Sequence, residues 1–227
     1  MDGANPHGDH SRVAARRVIL INPYDLGRQP FALAEPAALL ERAGFSVSCL
    51  DLSLEKLDSI EWRDAALVAI YLGMHTATRI ALEALPRIRE LAPGARLCAY
   101  GLYAPMNAAL LHARGVTDVI GGEFEPELVA AVRRARDGTA AAVPAAVVIH
   151  RGKVDFVVPQ RANLPALSRY ARLMLPDGSE RTVGFAEASR GCKHLCRHCP
   201  VVPVYQGRFR AVPIEIVLAD KIGRAHV

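Results

Sequence analysis

From Arg17 to about Arg136, short apolar runs alternate with segments of helical period. RVILIN (17–22), SVSCLDL (46–52), DAALVAIYLG (64–73), ARLCAYG (95–101) and VTDVIGG (116–122) each read as a compact strand bounded by turn residues. Between the first two strands, Leu33, Pro36, Ala37 and Leu40 fall on one helical face, and Gly44 sits where a C-terminal cap belongs. A second helix is expected from an N-cap at about Thr76 to Leu91, with Pro86 kinking or splitting it. A short helix follows at about Asn107–Arg114, closed by Gly115. Pro126 then opens a last helix that runs to Arg136 and ends at Gly138.

Five apolar strands alternating with helices predict an α/β domain over residues 15–137, with a doubly wound, five-stranded parallel sheet covered on both faces. Ligands of such sheets bind outside the carboxyl ends of the strands. Those ends are Asn22–Asp25, Gly73–Thr76, Gly101–Pro105 and Gly121–Glu125, and none carries a dinucleotide fingerprint or a phosphate loop. The same glycines also read as plain turn residues.

After residue 137 the pattern changes. Residues 138–181 read as a linker, in which VVIHRGKVDFVVP looks like a hairpin around Arg151-Gly152 and Pro176-Asp177-Gly178 marks a turn. TVGFAEA (182–188) reads as a new strand leading into a cluster of cysteines, and a helix is expected to begin near Pro213. Residues 1–14 are expected to be disordered.

Of the 227 residues, 51% are hydrophobic and 22% charged, so a sizeable core is available. No apolar run reaches the ~18 residues of a membrane span, and the N-terminal residues hold no signal-peptide core, which makes a cytoplasmic location without membrane contact the expectation. Charge is uneven. Residues 1–149 carry 15 basic and 17 acidic side chains, whereas residues 150–227 carry 13 and 6. The arginines are scattered without a helical stripe or interleaved aromatics, so no nucleic-acid partner is expected.

Cys49 and Cys98 sit singly inside apolar runs, as small buried thiols do. Cys192, Cys196 and Cys199 crowd into eight residues, Cys192-Lys193-His194-Leu195-Cys196-Arg197-His198-Cys199, behind Ser189-Arg190-Gly191 and ahead of Pro200. A CxxxCxxC loop can bind three irons of a 4Fe-4S cube and leave the fourth iron open to a substrate or cosubstrate. Zinc held by the three thiols with His194 or His198 is a competing reading. A redox disulfide or buried structural cysteines are weaker ones. The open cluster takes precedence because the loop follows a strand, lacks a second knuckle and has no fourth cysteine nearby.

Ser-Arg-Gly followed by this cysteine spacing resembles the radical S-adenosylmethionine (radical SAM) superfamily. The resemblance implies that Cys192, Cys196 and Cys199 ligate the 4Fe-4S cluster and that the backbone of His198 contacts the adenine of SAM. It also implies that SAM is cleaved to a 5′-deoxyadenosyl radical. A low-potential electron donor and a small-molecule or peptide substrate come with it. Asn22-Pro23 after the first strand, LDL at the end of the second and Gly-Glu-Phe-Glu at 122–125 resemble the cobalamin-binding domain that precedes many such barrels. NLPALSRYARL resembles the linker between the two. The cobalamin contacts then expected are Tyr24, Gly73, Met74, Thr76, Gly101, Gly121, Gly122 and Glu123. Asp25-Leu26-Gly27-Arg28-Gln29-Pro30 holds no histidine, so a bound cobalamin is expected to have no protein nitrogen on cobalt. Methyl transfer or a radical rearrangement would follow from cobalamin. A non-catalytic zinc- or iron–sulfur-binding module is the alternative.

A radical SAM barrel needs about six βα units. Residues 182–221 are expected to be only its first unit, in a fragment inactive alone. Residues 222–227 match the translation of a common sequencing adapter and are expected to be read-through.

Overall fold

A computed structural model describes residues 17–137 and 147–224, with no account of the side chains of 222–224. The first part alternates strand and helix as β1 (Arg17–Asn22), α1 (Phe31–Arg42), β2 (Ser46–Asp51), β3 (Ala65–Tyr71), α2 (His75–Leu91), β4 (Arg96–Tyr100), α3 (Ala108–Ala113), β5 (Asp118–Gly122) and α4 (Glu125–Arg136). The five strands stand close to where the apolar runs placed them. They are joined by β6 (Val148–His150) in a six-stranded sheet of order β2-β1-β3-β4-β5-β6, parallel at every pairing. One core lies under α1 and α4, around Leu20, Leu33, Leu67, Tyr100 and Leu128. The other lies under α2 and α3, around Ile19, Ile70, Leu85, Ile88 and Leu97. Strands buried on both faces explain the near-continuous apolar runs.

Three expectations need correction. The sheet has six strands, not five, and VVIHRGKVDFVVP is no hairpin: its first run adds to the sheet edge in parallel. Gly121 and Gly122 make this possible, because they leave the backbone of β5 bare. A Cβ on Gly122, whose φ is +74°, would collide with the carbonyl oxygen of His150. Pro86 does not split α2, which runs as one helix from His75 to Leu91, with Met74 and not Thr76 at its cap position. Pro86 lies on the exposed side of the helix, where its ring meets solvent. Third, TVGFAEA is not a strand. Only Thr182 is paired, at the end of β8 (Glu180–Thr182), which makes a hairpin with β7 (Arg172–Met174) around the Pro176-Asp177-Gly178 turn. Residues 183–188 join no ladder among the described strands and stay irregular, with Ala188 O accepting from Val212 N at 3.0 Å just past β10.

The chain then forms β9 (Ser189–Gly191), α5 (Val201–Tyr205), β10 (Phe209–Ala211) and α6 (Ile214–Arg224), with β9 and β10 antiparallel. The connecting segment is tied to the α/β domain at several points. Leu164 joins the first core, Gln160 N donates to Ala34 O at 2.8 Å, and Arg161 bridges Gln29 and Asp220. Burying one leucine contributes about 1.5–3 kcal/mol. A fragment ending at residue 170 is therefore expected to melt about 4 °C or more above one ending at residue 137. Equal melting temperatures by calorimetry would show that β6 and Leu164 add nothing.

Candidate functional site

The three clustered cysteines lie on one loop between β9 and α5. Cys192 and Cys199 are half-buried and Cys196 is exposed, and all three are free thiols. Cys192 N donates to Arg208 O at 3.1 Å, which anchors the loop to the residue before β10. Cys199 N donates to Cys196 O at 3.2 Å, a tight turn that brings the second and third cysteines near each other along the chain. Gly191 enters the loop at φ +70°, where a Cβ would collide with Arg208 O. Lys193, His194, Leu195, Arg197 and His198 all face solvent. Cys49 and Cys98 are core thiols, as expected, and burial pushes Cys49 up to about 12.

The donor set fits an iron–sulfur cluster in its chemistry: three free thiols on a short loop with no disulfide among them. Among the described residues, no three His, Cys, Asp or Glu side chains are already gathered in a metal-holding group. A cluster held here would need the three thiols drawn together.

Under the loop lies a buried charge cluster that sequence reasoning missed. The Arg190 side chain, 6% exposed, pairs with Glu35 from α1, with Glu123 and Glu125 beyond β5, and with Glu187 just before β9. The Glu123 contact is 3.3 Å and the Glu187 contact 3.2 Å. Arg210 of β10 reaches the second oxygen of Glu123 at 3.1 Å. The guanidinium also lies 5.5 Å from the Phe124 ring centre and 5.2 Å from that of Phe156, within cation–π range. Four carboxyl groups thus gather around two arginines. Burial holds the Glu35, Glu123 and Glu187 carboxyls above the usual carboxylate range against the pull of Arg190, and the neighbouring Glu125 raises all three further. Ser-Arg-Gly and Gly-Glu-Phe-Glu were both visible as motifs; nothing in the sequence paired them.

The residues expected to contact cobalamin all lie at the carboxyl edge of the sheet. Tyr24 follows β1; Gly73, Met74 and Thr76 surround the start of α2; Gly101 follows β4; Gly121 and Gly122 end β5, with Glu123 beyond. They are not equally open. Gly73 and Gly101 bracket the Tyr71 ring so closely that a Cβ on either would sit 2.7 Å from it. Gly121 packs on Pro105 and pairs with β6, and Glu123 is held by two arginines. Gly101 and Gly122, with Tyr71 and Phe124, floor a cavity of about 190 Å³ that Arg190 and Tyr205 roof. The Tyr205 hydroxyl donates to Gly122 O at 3.3 Å. Pockets for drug-sized ligands run to roughly 300–1,000 Å³, and a corrin with its nucleotide tail is larger than such ligands. Cobalamin does not fit the crevice in this closed form.

The fold and the loop together define a class: a doubly wound α/β domain whose carboxyl edge is roofed by a three-thiol segment. No protein-family model matches the chain, and no curated protein matches it. Solved structures do. The radical S-adenosylmethionine methyltransferase TsrM from Kitasatospora setae, with cobalamin and a [4Fe-4S] cluster bound, is similar at a TM-score of 0.65 and 20% identity over 93% of this chain and 46% of that one. The same enzyme with tryptophan substrate and the SAM analog aza-SAM matches at 0.62 and 21%, with the same coverage. The likeness is one of fold, and this chain spans less than half the length of those structures. No described helix is long and apolar enough to cross a membrane.

Proposed function

We infer that this chain is part of a radical SAM enzyme in which Cys192, Cys196 and Cys199 hold a 4Fe-4S cluster, SAM binds the open iron, and the His198 backbone meets the adenine. The observation that carries the reading is the placement of three free thiols on a loop seated over the carboxyl edge of the sheet. Its support is the TsrM-like fold of 93% of the chain. When bound, the cluster supplies one low-potential electron for cleavage of SAM. The chain's own residues set the stage for that. Gly191 turns the backbone into the loop, and Cys192 N and Arg208 O pin its start. Arg190 ties the loop to the α/β domain, while Tyr71, Phe124 and Tyr205 line the space beneath it. The reaction proposed is on a small-molecule or peptide substrate with an external electron donor. No step is routed through cobalamin.

Anaerobic reconstitution with iron and sulfide tests the reading. The expected product is brown, holds about four irons and absorbs broadly in the visible, and replacing all three cysteines with alanine removes the colour. A colourless protein with one tightly held zinc would select the non-catalytic metal-binding module, with His194 or His198 as fourth ligand.

A further inference from the structure

The residue that follows β6 meets the thiol segment on both sides of the cysteine loop. The Arg151 guanidinium lies against the end of α5, with Nε donating to Val204 O at 2.7 Å and an Nη donating to Pro203 O at 3.1 Å. These are last-turn carbonyls, which a helix leaves without partners of its own. Basic side chains of the same helix often take such carbonyls; here the donor stands 52 and 53 residues earlier in the chain. Arg151 O in turn accepts from the side chains of Arg208 and Arg210, each at 2.7 Å.

Both attachments lead to the thiols. Arg208 O is the acceptor for Cys192 N, so the bond from the Arg208 side chain to Arg151 O fixes the entrance of the loop. Cys199 O accepts from Val202 N at 3.2 Å at the start of α5, so the capped helix fixes the exit. Arg151 is itself set by the sheet: His150 pairs with Gly122, and His150 O accepts from Glu123 N at 2.9 Å. Arg190 anchors β9 ahead of the first thiol, whereas Arg151 reaches both ends of the loop.

We propose that Arg151 is a positioning residue for the thiols, one that sets Cys192 and Cys199 relative to each other and so governs how firmly the loop holds a cluster. This rests on the reading of the three thiols as cluster ligands. Groups that orient metal ligands from outside the ligand set cost about 10–100-fold in metal affinity or activity when they are lost. The guanidinium fork matters here as much as its charge. Two carbonyls at one helix end meet two N–H groups of one planar group, which a lysine ammonium does not reproduce.

Two measurements on the full chain test this. The first needs no cluster: the reduced, metal-free protein is labelled with iodoacetamide and the modified cysteines are mapped by mass spectrometry. Cys196 is exposed while Cys192 and Cys199 are half-buried, so Cys196 should label fastest in the parent. Arg151→Gln is expected to speed labelling at Cys199 and Arg208→Gln at Cys192, with the core thiols Cys49 and Cys98 unlabelled throughout. The second follows the reconstituted cluster. Arg151→Gln should lose its visible absorbance to an iron chelator about tenfold faster than the parent, and its reduced cluster should give an altered paramagnetic resonance signal. Arg151→Lys, which keeps the charge without the fork, should behave like the glutamine variant. Far-UV circular dichroism of the α/β domain should match in all, and Arg208→Gln carries the test should Arg151→Gln fail to fold. Unchanged labelling, chelator loss and resonance signal in loaded variants would overturn the positioning role and leave the cluster reading intact. A parent chain that takes up no iron would instead remove the cluster reading, and the proposal with it.

Discussion

Replacing Gly191 with alanine is expected to abolish iron–sulfur loading while the α/β domain stays folded. Two effects coincide at this position. The residue sits at φ +70°, in the left-handed region, which costs an alanine about 1–2 kcal/mol. Its new methyl would also collide with Arg208 O, the acceptor for Cys192 N. Relief requires β9 and β10 to part, because Gly191 pairs directly with Phe209. The loop then loses the bond that positions its first cysteine. Reconstituted Gly191→Ala should hold less than about a tenth of the parent's cluster absorbance, with far-UV circular dichroism of the α/β domain retained. Full loading of the variant would show that the β9–β10 pairing does not organise the thiols.

The largest effect on stability is expected at Asp118, far from the thiols. Its carboxylate, 2% exposed, accepts from Arg96, Arg134 and Thr117, and Arg96 is itself only 8% exposed. Replacing Asp118 with alanine leaves the Arg96 charge buried and without this carboxylate, a loss of about 3–5 kcal/mol. Asp118→Asn keeps the shape and should lie between the two. The same group sets a pH dependence. Burial pushes its carboxyl up, but the hydrogen bonds and charges of Arg96 and Arg134 outweigh burial and hold it below the ordinary range. A depressed folded-state value means that this stabilisation is present above the unfolded value, near pH 4, and is lost as pH falls through the folded one. Urea midpoints measured from pH 6 down to pH 3 should fall in the parent and fall less in Asp118→Asn. Parallel profiles would remove Asp118 from the acid response.

The five apolar runs, their parallel pairing and the thiol loop were legible because each is a local statement. A strand buried on both faces must be apolar along its length, and a loop that binds metal must carry its donors within a few residues. The glycine and proline stops were local too, and they predicted the ends of α1 and α4 well. Where local signals misled, a partner decided. Pro86 is accommodated on the face of α2 that meets water, and TVGFAEA past Thr182 joins no ladder among the described strands. Val148–His150 became the sixth strand because two glycines bared the edge of β5.

The Arg190 cluster is the clearest case of what only the tertiary structure decides. Arg190 and Glu35 are 155 residues apart, and Arg190 and Glu125 are 65 apart. In the sequence Glu35 is one acidic position among the small apolar residues of α1. Composition and spacing determined that this chain has an α/β domain and a loop carrying three closely spaced thiols. They carried nothing about how the two halves meet, because a buried charge is tolerated only once its counter-charges arrive from elsewhere in the chain. That pairing exists only in three dimensions, and it is part of what closes the crevice the strands were built to open.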